Sequence, residues 1–168
     1  MLEEVKKDKE YYSIVHEILE SEEFQKRQDF LHHEGESVFD HVLEVSYFAY
    51  LYCKDHKLDY KSAAIGGLLH DFYPKPWQKC KKKKKQFFDM HGYVHAKEAL
   101  ENAWYYFPQY MTPKIQNIIL RHMFPLNLYP PKYKEAWAVT MIDKRVSMKV
   151  FHKPTGLLKY VGIRKDLQ

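Results

Sequence analysis

The sequence has little glycine, little cysteine and no long apolar run. Only six glycines occur in 168 residues, and no alternating Val/Ile/Thr segments stand between turn residues, which excludes a mainly β fold. The two cysteines, Cys53 and Cys80, lack CxxC spacing, so a disulfide framework is excluded and a reducing cytosol is favoured over secretion. No segment reaches the ~18 uninterrupted apolar residues that a membrane helix requires.

The positive charge is concentrated in one segment. Six lysines lie within residues 79–85, and without them the formal charge changes from +5 to −1. This pattern indicates a phosphate-attracting flap or a solvated insertion, rather than the basic face of a nucleic-acid-binding protein. The charged amino terminus lacks the apolar stretch of a signal peptide. We therefore expect a cytoplasmic protein without a membrane or nucleic-acid partner.

Apolar residues recur at three- and four-residue steps through most of the chain, which predicts an all-α, single-domain bundle of about six to eight helices. Its core spans residues 39–150, with N-terminal helices in 1–38 and a basic tail in 151–168. The predicted helices cover about residues 9–20, 22–31 and 39–54, a segment capped by Asp59 that leads to His70 and is ended by Pro74, a segment from Gly92 to Pro108, a segment from Thr112 to His122, and residues 132–150.

Histidines and aspartates fall on or beside the apolar faces of successive predicted helices. Asp143 lies on a stripe with Val139 and Val146, where an ionised carboxylate would cost several kcal/mol unless it is paired or bound to a cation. Asp143 could pair with Lys144 or Arg145, although neighbours in a helix point about 100° apart and do not face each other. A single inward histidine is more often a core residue than a ligand, but the full series favours a metal site with nitrogen and oxygen ligands. The series comprises His41, His70, Asp71, His91, His95, His122 and Asp143.

The order of these residues, together with the motif Leu68-Leu69-His70-Asp71, resembles the HD-domain phosphohydrolase superfamily over residues 39–150. Residues 90–96 and 121–126 resemble a group of small bacterial HD proteins, and Asp143-Lys144 matches the closing Asp-Lys of many members. The resemblance implies an all-α HD-like fold in which one divalent metal is held by the minimal ligand set His41, His70, Asp71 and Asp143.

Histidines between the HD pair and the last aspartate resemble the dinuclear subgroup, which includes the HD-type diadenosine tetraphosphate hydrolases and the HD-GYP phosphodiesterases. That resemblance implies that Asp71 bridges two ions, with His122 and either His91 or His95 completing the second site. Such ligands suit Fe, Mn, Zn, Ni or Co better than Mg, and the family favours iron or manganese. Two such ions would activate a water and hold the phosphoryl oxygens.

The implied activity is that of a phosphomonoesterase or phosphodiesterase acting on a nucleotide or a related small phosphate ester. His70, Asp71 and Lys144 are the expected catalytic residues. The expected phosphate contacts, each of which could instead be an ordinary surface residue, are His33, Arg121, Lys144 and Arg145.

The Gly-Lys that often follows HD is replaced by Phe72-Tyr73-Pro74 and no Gly-Tyr-Pro signature is present, so cyclic-dinucleotide turnover is not expected. Two alternatives remain. One is a catalytically weak sensor that binds metal and nucleotide through the HD core, and the other is a nucleic-acid binder that uses the lysine run.

Overall fold

The computed structural model describes residues 2–30, 37–73 and 91–148, and within these ranges the chain forms α- and 3-10 helices and no strand. The all-α prediction is confirmed. The α-helices are α1 (Leu2–Lys7), α2 (Lys9–Leu19), α3 (Glu22–Gln25), α4 (Val38–Asp55), α5 (Tyr60–Leu69), α6 (His91–Tyr106), α7 (Pro113–Arg121) and α8 (Lys134–Ser147), with 3-10 turns at Lys26–Asp29 and Pro108–Tyr110. No helix in the described ranges is long and apolar enough to cross a bilayer.

Most of the helices begin at side chains that accept a hydrogen bond from a free backbone N–H of the first turn. The predicted caps Ser21, Asp59 and Thr112 each do so, accepting from the N–H groups of Phe24, Ser62 and Ile115. Asp8 and Ser37 cap α2 and α4 in the same way. Local sequence therefore determines where these five helices start.

The N-terminal segment differs from its predicted helices. The predicted helix over residues 22–31 is instead α3 followed by a 3-10 turn, in which the Phe30 N–H reaches the Arg27 carbonyl at 3.3 Å. Arg27 lies in this turn and is 1% exposed. Helix α1 was not predicted, because its six residues carry too little apolar periodicity.

Helices α4 and α5 form the centre of the bundle, with α8 packed on both and α7 packed on α5 and α8. Every side chain from Ser62 to Leu69 in α5 is buried. Gly67 permits the close contact with α4, because a Cβ at this position would lie 2.8 Å from the Ser46 Cα. This packing places the carboxyl-terminal end of α5 beside the first turns of α4, where His41 lies.

Candidate metal centre

Histidines end two of the central helices in the same way. His70 is the C-cap of α5 and His122 is the C-cap of α7. The Nδ1 of His70 lies 2.7 Å from the Gly67 carbonyl oxygen, and the Nδ1 of His122 lies 2.7 Å from the Ile119 carbonyl oxygen. Because a carbonyl only accepts, each Nδ1 carries the proton and donates it, which leaves the Nε2 as an unprotonated donor atom in the neutral ring. Helix α5 ends at Leu69, which is earlier than the predicted stop at Pro74. At this end the His70 ring donates to a free carbonyl of the last turn.

Two buried carboxylates face these imidazoles. The Asp143 Oδ1 lies 3.1 Å from the His41 Nε2 and 3.6 Å from the His70 Nε2. The Asp71 Oδ2 lies 3.7 Å from the His70 Nε2, and the Asp71 Oδ1 lies 3.3 Å from the His122 Nε2. Ligands bound at about 2.1 Å to one ion are about 3.0 Å apart at right angles and about 4.2 Å apart across it. The observed separations fit this range.

The donor chemistry of these residues also fits a cation. The Nε2 atoms of His70 and His122 are buried and have no hydrogen-bond partner among the described residues. Each such lone pair faces a carboxylate oxygen, an arrangement that is repulsive unless a proton or a metal ion lies between the two atoms. The donors form two groups, and within each group all the donor atoms lie within 4.8 Å of one another. The first group is His41, His70 and Asp143, and the second is His70, Asp71 and His122. These five buried residues could hold a divalent metal.

The pKa shifts show how strongly the carboxylates act on the imidazoles. Burial lowers the pKa of His70, but the charges of Asp71 and Asp143 outweigh burial and raise it to about 9. Burial would raise the pKa of Asp143, but its contacts with His41 and His70 hold it well below the usual range. Burial dominates at His122 and lowers its pKa. The two ionised carboxylates, which lie among imidazoles in a desolvated space, thus favour a cation beside these rings, either a bound proton or a metal ion.

His95 adds a further nitrogen from α6. Its Nε2 lies 2.6 Å from the Asp71 Oδ1, its ring lies 5.9 Å from that of His122, and its other face packs on Tyr73 at a centroid distance of 4.6 Å. The alternative candidate, His91, begins α6, and its side chain lies outside the described part of the structure. The contact with Asp71 supports His95 as the donor from this helix.

The predicted phosphate-binding cations are less uniform in their placement. The Lys144 Nζ is half-buried and donates to the His122 carbonyl oxygen at 3.1 Å, and burial lowers its pKa. The Arg121 guanidinium lies 4.8 Å from the Tyr129 ring centroid and 3.5 Å from the Asn127 Oδ1. Arg145 is half-buried, and burial lowers its pKa. His33 lies outside the described residues. Of these four, Lys144 is hydrogen-bonded to the backbone of a candidate ligand.

Sequence reasoning missed the contacts of the segment just after Asp71. Arg27 donates to the Tyr73 carbonyl at 2.9 Å, Asn102 donates to the Phe72 carbonyl at 2.9 Å, and the Tyr73 ring covers His95. Arg27 and Asn102 are separated from Asp71 along the chain and belong to no ligand pattern. The replacement of Gly-Lys by Phe72-Tyr73 was the one sequence signal that could have directed attention to this segment.

Comparison with curated proteins and with solved structures gave no significant match. The HD domain family model, by contrast, matches residues 38–148, a range that begins at the first residue of α4 and ends at the C-cap of α8. It includes all of the residues in the two buried donor groups. Because the match extends over most of the sequence, the chain belongs to the HD domain family.

Proposed function

We propose that this protein is a metal-dependent phosphohydrolase that cleaves a nucleotide or a related small phosphate ester, and that it binds two divalent transition-metal ions. The observation that carries the proposal is the pair of helix-capping histidines, His70 and His122. Each uses Nδ1 to satisfy a backbone carbonyl and directs an unpartnered Nε2 at a carboxylate. Bound divalent ions would lower the pKa of a water and neutralise the phosphoryl oxygens.

The residues divide into two ends in this proposal. His41 and Asp143 form one end, His122 and His95 form the other, and His70 and Asp71 stand between them. Asp71 is suited to contact both ions because its Oδ2 faces His70 and its Oδ1 faces His95 and His122. The hydrogen bonds to the Gly67 and Ile119 carbonyls fix the tautomers of the two capping histidines, so their donor atoms are oriented before a metal binds.

Lys144 has a positioning role in the proposal. Its ammonium group donates to the carbonyl of His122. Because Lys144 also follows Asp143 directly in sequence, it connects Asp143 at one end of the site with His122 at the other. Being half-buried and cationic, it would also attract the phosphate of a substrate, as would Arg121 and Arg145. Iron or manganese is the first choice of metal, with zinc, nickel and cobalt as alternatives, because imidazole and carboxylate ligands suit these ions.

The test combines metal analysis with a substrate survey. We expect the protein purified without chelator to carry two transition-metal ions per chain and to hydrolyse a member of a panel of mono- and dinucleotides supplied with Mn, Fe, Ni or Co. Asp71→Ala should lose both metal and hydrolysis. Hydrolysis that persists unchanged in excess chelator, or a protein that binds none of these ions, would refute the proposal.

The second candidate is a catalytically weak sensor of metal and nucleotide. It is favoured by Phe72-Tyr73-Pro74, which replace the Gly-Lys that often follows HD and so remove a cation beside the doublet. The same panel separates the two functions, because a sensor binds a nucleotide tightly without turnover.

A nucleic-acid binder that uses the lysine run is the remaining alternative. Replacing Lys81 to Lys85 by serine tests it, since such a protein would lose a salt-dependent affinity for nucleic acid.

A further inference from the structure

A buried arginine from the N-terminal segment contacts the residues that follow the HD pair. Arg27 precedes the matched range 38–148, and it is 1% exposed. Its guanidinium donates to the Tyr73 carbonyl at 2.9 Å and to the side chain of Glu23 at 2.9 Å, and its Cζ lies 4.1 Å from the centroid of the Phe72 ring. One planar group thus contacts the backbone of one residue and the ring of the one before it.

Helix α6 holds the same segment from another direction. Asn102 donates to the Phe72 carbonyl at 2.9 Å, so the two successive carbonyls after Asp71 are each bonded by a side chain from elsewhere in the chain. The Tyr73 ring in turn packs on His95, whose Nε2 lies 2.6 Å from the Asp71 Oδ1. A displacement of residues 72–73 would therefore move Asp71 through the backbone and His95 through the Tyr73 ring.

Packing alone does not account for a guanidinium at this position. Removing a charged group from water is costly, and an apolar side chain of similar volume often serves stability equally well or better. The Arg27 Nε has no hydrogen-bond partner among the described residues, so the burial is incompletely compensated. Lysine carries all its donors on one nitrogen and has no planar group, so it could not donate to Glu23 and Tyr73 from separate nitrogens while stacking on the Phe72 ring.

We propose that Arg27, together with Asn102, acts as a clamp on residues 72–73 and is a positioning residue for the His95 and Asp71 end of the metal centre. The inference rests on the proposed function, because it assumes that His95 and Asp71 bind an ion. It makes the N-terminal segment a working part of the site. It also gives Phe72 and Tyr73 a role that the usual Gly-Lys could not fill, since the clamp requires a ring under the guanidinium and a ring against His95.

The experiment titrates the chelator-treated full-length protein with Co²⁺, whose visible absorption reports ligand geometry without any substrate. The ion that depends on His95 is identified as the one lost in His95→Ala. We expect Arg27→Met and Asn102→Ala each to weaken that ion about tenfold or more, the usual effect of losing support around a ligand, and to shift its absorption bands. The ion bound by His41 and Asp143 should keep its affinity, and Arg27→Lys should be intermediate.

Lys114→Met is the control, because it breaks the partly exposed hydrogen bonds to Asp59 and Glu135 and should lower stability without changing Co²⁺ binding. If folded Arg27→Met binds both ions within twofold of the native protein, the clamp is refuted while the proposed function stands. If Arg27→Met does not fold, Asn102→Ala decides, and unchanged affinity there refutes the clamp. If His95→Ala leaves Co²⁺ binding unaffected, the premise that His95 binds an ion is wrong and the inference is refuted. If the native protein binds no Co²⁺ at all, the inference is refuted and the result also counts against the proposed function.

Discussion

The Nε2 of His95 lies 2.6 Å from the Oδ1 of Asp71, although 24 residues separate them in sequence. The contact joins the second turn of α6 to the end of α5, on the side of Asp71 that also faces His122. The other oxygen of Asp71 faces His70. A single carboxylate therefore lies between donors from three helices, which makes the two aspartates of the site unequal and gives their removal different consequences.

Asp71→Asn should abolish binding of both ions, whereas Asp143→Asn should abolish one. Asp71 faces His70, His95 and His122, while Asp143 faces His41 and His70. Asparagine keeps the shape of the side chain but removes the charge that offsets an ion's loss of hydration. Elemental analysis should give a ratio near zero metal ions per chain for Asp71→Asn and near one for Asp143→Asn, against two for the native protein. Equal losses in the two variants would contradict an unequal division of the ligands.

The proposed function gives His122 two separable tasks, as a metal ligand and as a helix cap, and two substitutions should distinguish them. Asparagine at this position could still donate to the Ile119 carbonyl but would offer no Nε2 to a metal, whereas alanine loses both functions. We expect His122→Asn and His122→Ala to lose the same ion, and His122→Ala alone to lose a further 1 kcal/mol or so of stability from the unpaired carbonyl.

Metal titration and urea unfolding of the chelated protein measure the two effects. If His122→Asn keeps both ions, His122 is only a helix cap and the second group of donors needs another member. If the two variants are equally stable, the cap contributes nothing measurable, and the Ile119 carbonyl must find another partner.

The burial of the candidate donors could be predicted because these residues interrupt apolar faces. His41, His70, His122 and Asp143 are all buried as expected, since each lies on or beside the apolar face of its predicted helix. The N-caps Ser21, Asp59 and Thr112 could be predicted for a similar reason, because their hydrogen bonds are made within four residues. Both signals are local and chemically specific.

The clamp and the end of α5 could not be predicted, because they depend on contacts between distant segments. Arg27 falls within the predicted helix over residues 22–31, and nothing in that pattern indicates that its side chain is buried against Phe72 and Tyr73. The end of α5 was assigned to Pro74, whereas the His70 ring takes the Gly67 carbonyl and ends the helix earlier. Periodicity does not report which backbone carbonyl a side chain will reach.

Gly67→Ala should destabilise the protein more than Gly66→Ala. A Cβ at Gly67 would lie 2.8 Å from the Cα and 3.2 Å from the N of Ser46, which are backbone atoms of α4. A Cβ at Gly66 would meet the Ile118 side chain, with its Cγ2 at 2.7 Å, and a side chain can shift more easily than the backbone of α4. We expect a net loss of roughly 1–3 kcal/mol for Gly67→Ala, typical of overpacking.

For Gly66→Ala, a gain in helix propensity of roughly 1 kcal/mol offsets part of the clash. Urea unfolding of both variants gives the comparison. Gly67→Ala should also weaken metal binding, because the Gly67 carbonyl orients His70. A Gly67→Ala protein with native stability would show that α4 and α5 are not held as closely as described.

Lys114→Met should lower stability at neutral pH and reduce the loss of stability in acid. The Lys114 Nζ lies 3.0 Å from both the Asp59 Oδ2 and the Glu135 Oε1. Burial alone would raise the pKa of either carboxyl, but hydrogen bonds, including those from Lys114, lower both. Because the folded-state pKa values are depressed, the stabilisation is fully present above the ordinary carboxyl range, near pH 4, and is lost as the pH falls through the folded values.

Urea unfolding of the native protein and Lys114→Met at pH 7, 5, 4 and 3 measures the effect. We expect a difference of roughly 1 kcal/mol at pH 7, typical of partly buried pairs, that shrinks toward pH 3. Titration of the metal-site carboxylates affects both proteins and cancels in the difference. Lys97→Met, which removes the exposed pair with Glu101 at 3.5 Å, is the control and should change stability by less than about 0.5 kcal/mol at every pH. A Lys114→Met difference that stays constant with pH would mean that loss of packing around the lysine stem, and not its charge, sets the stability of this network.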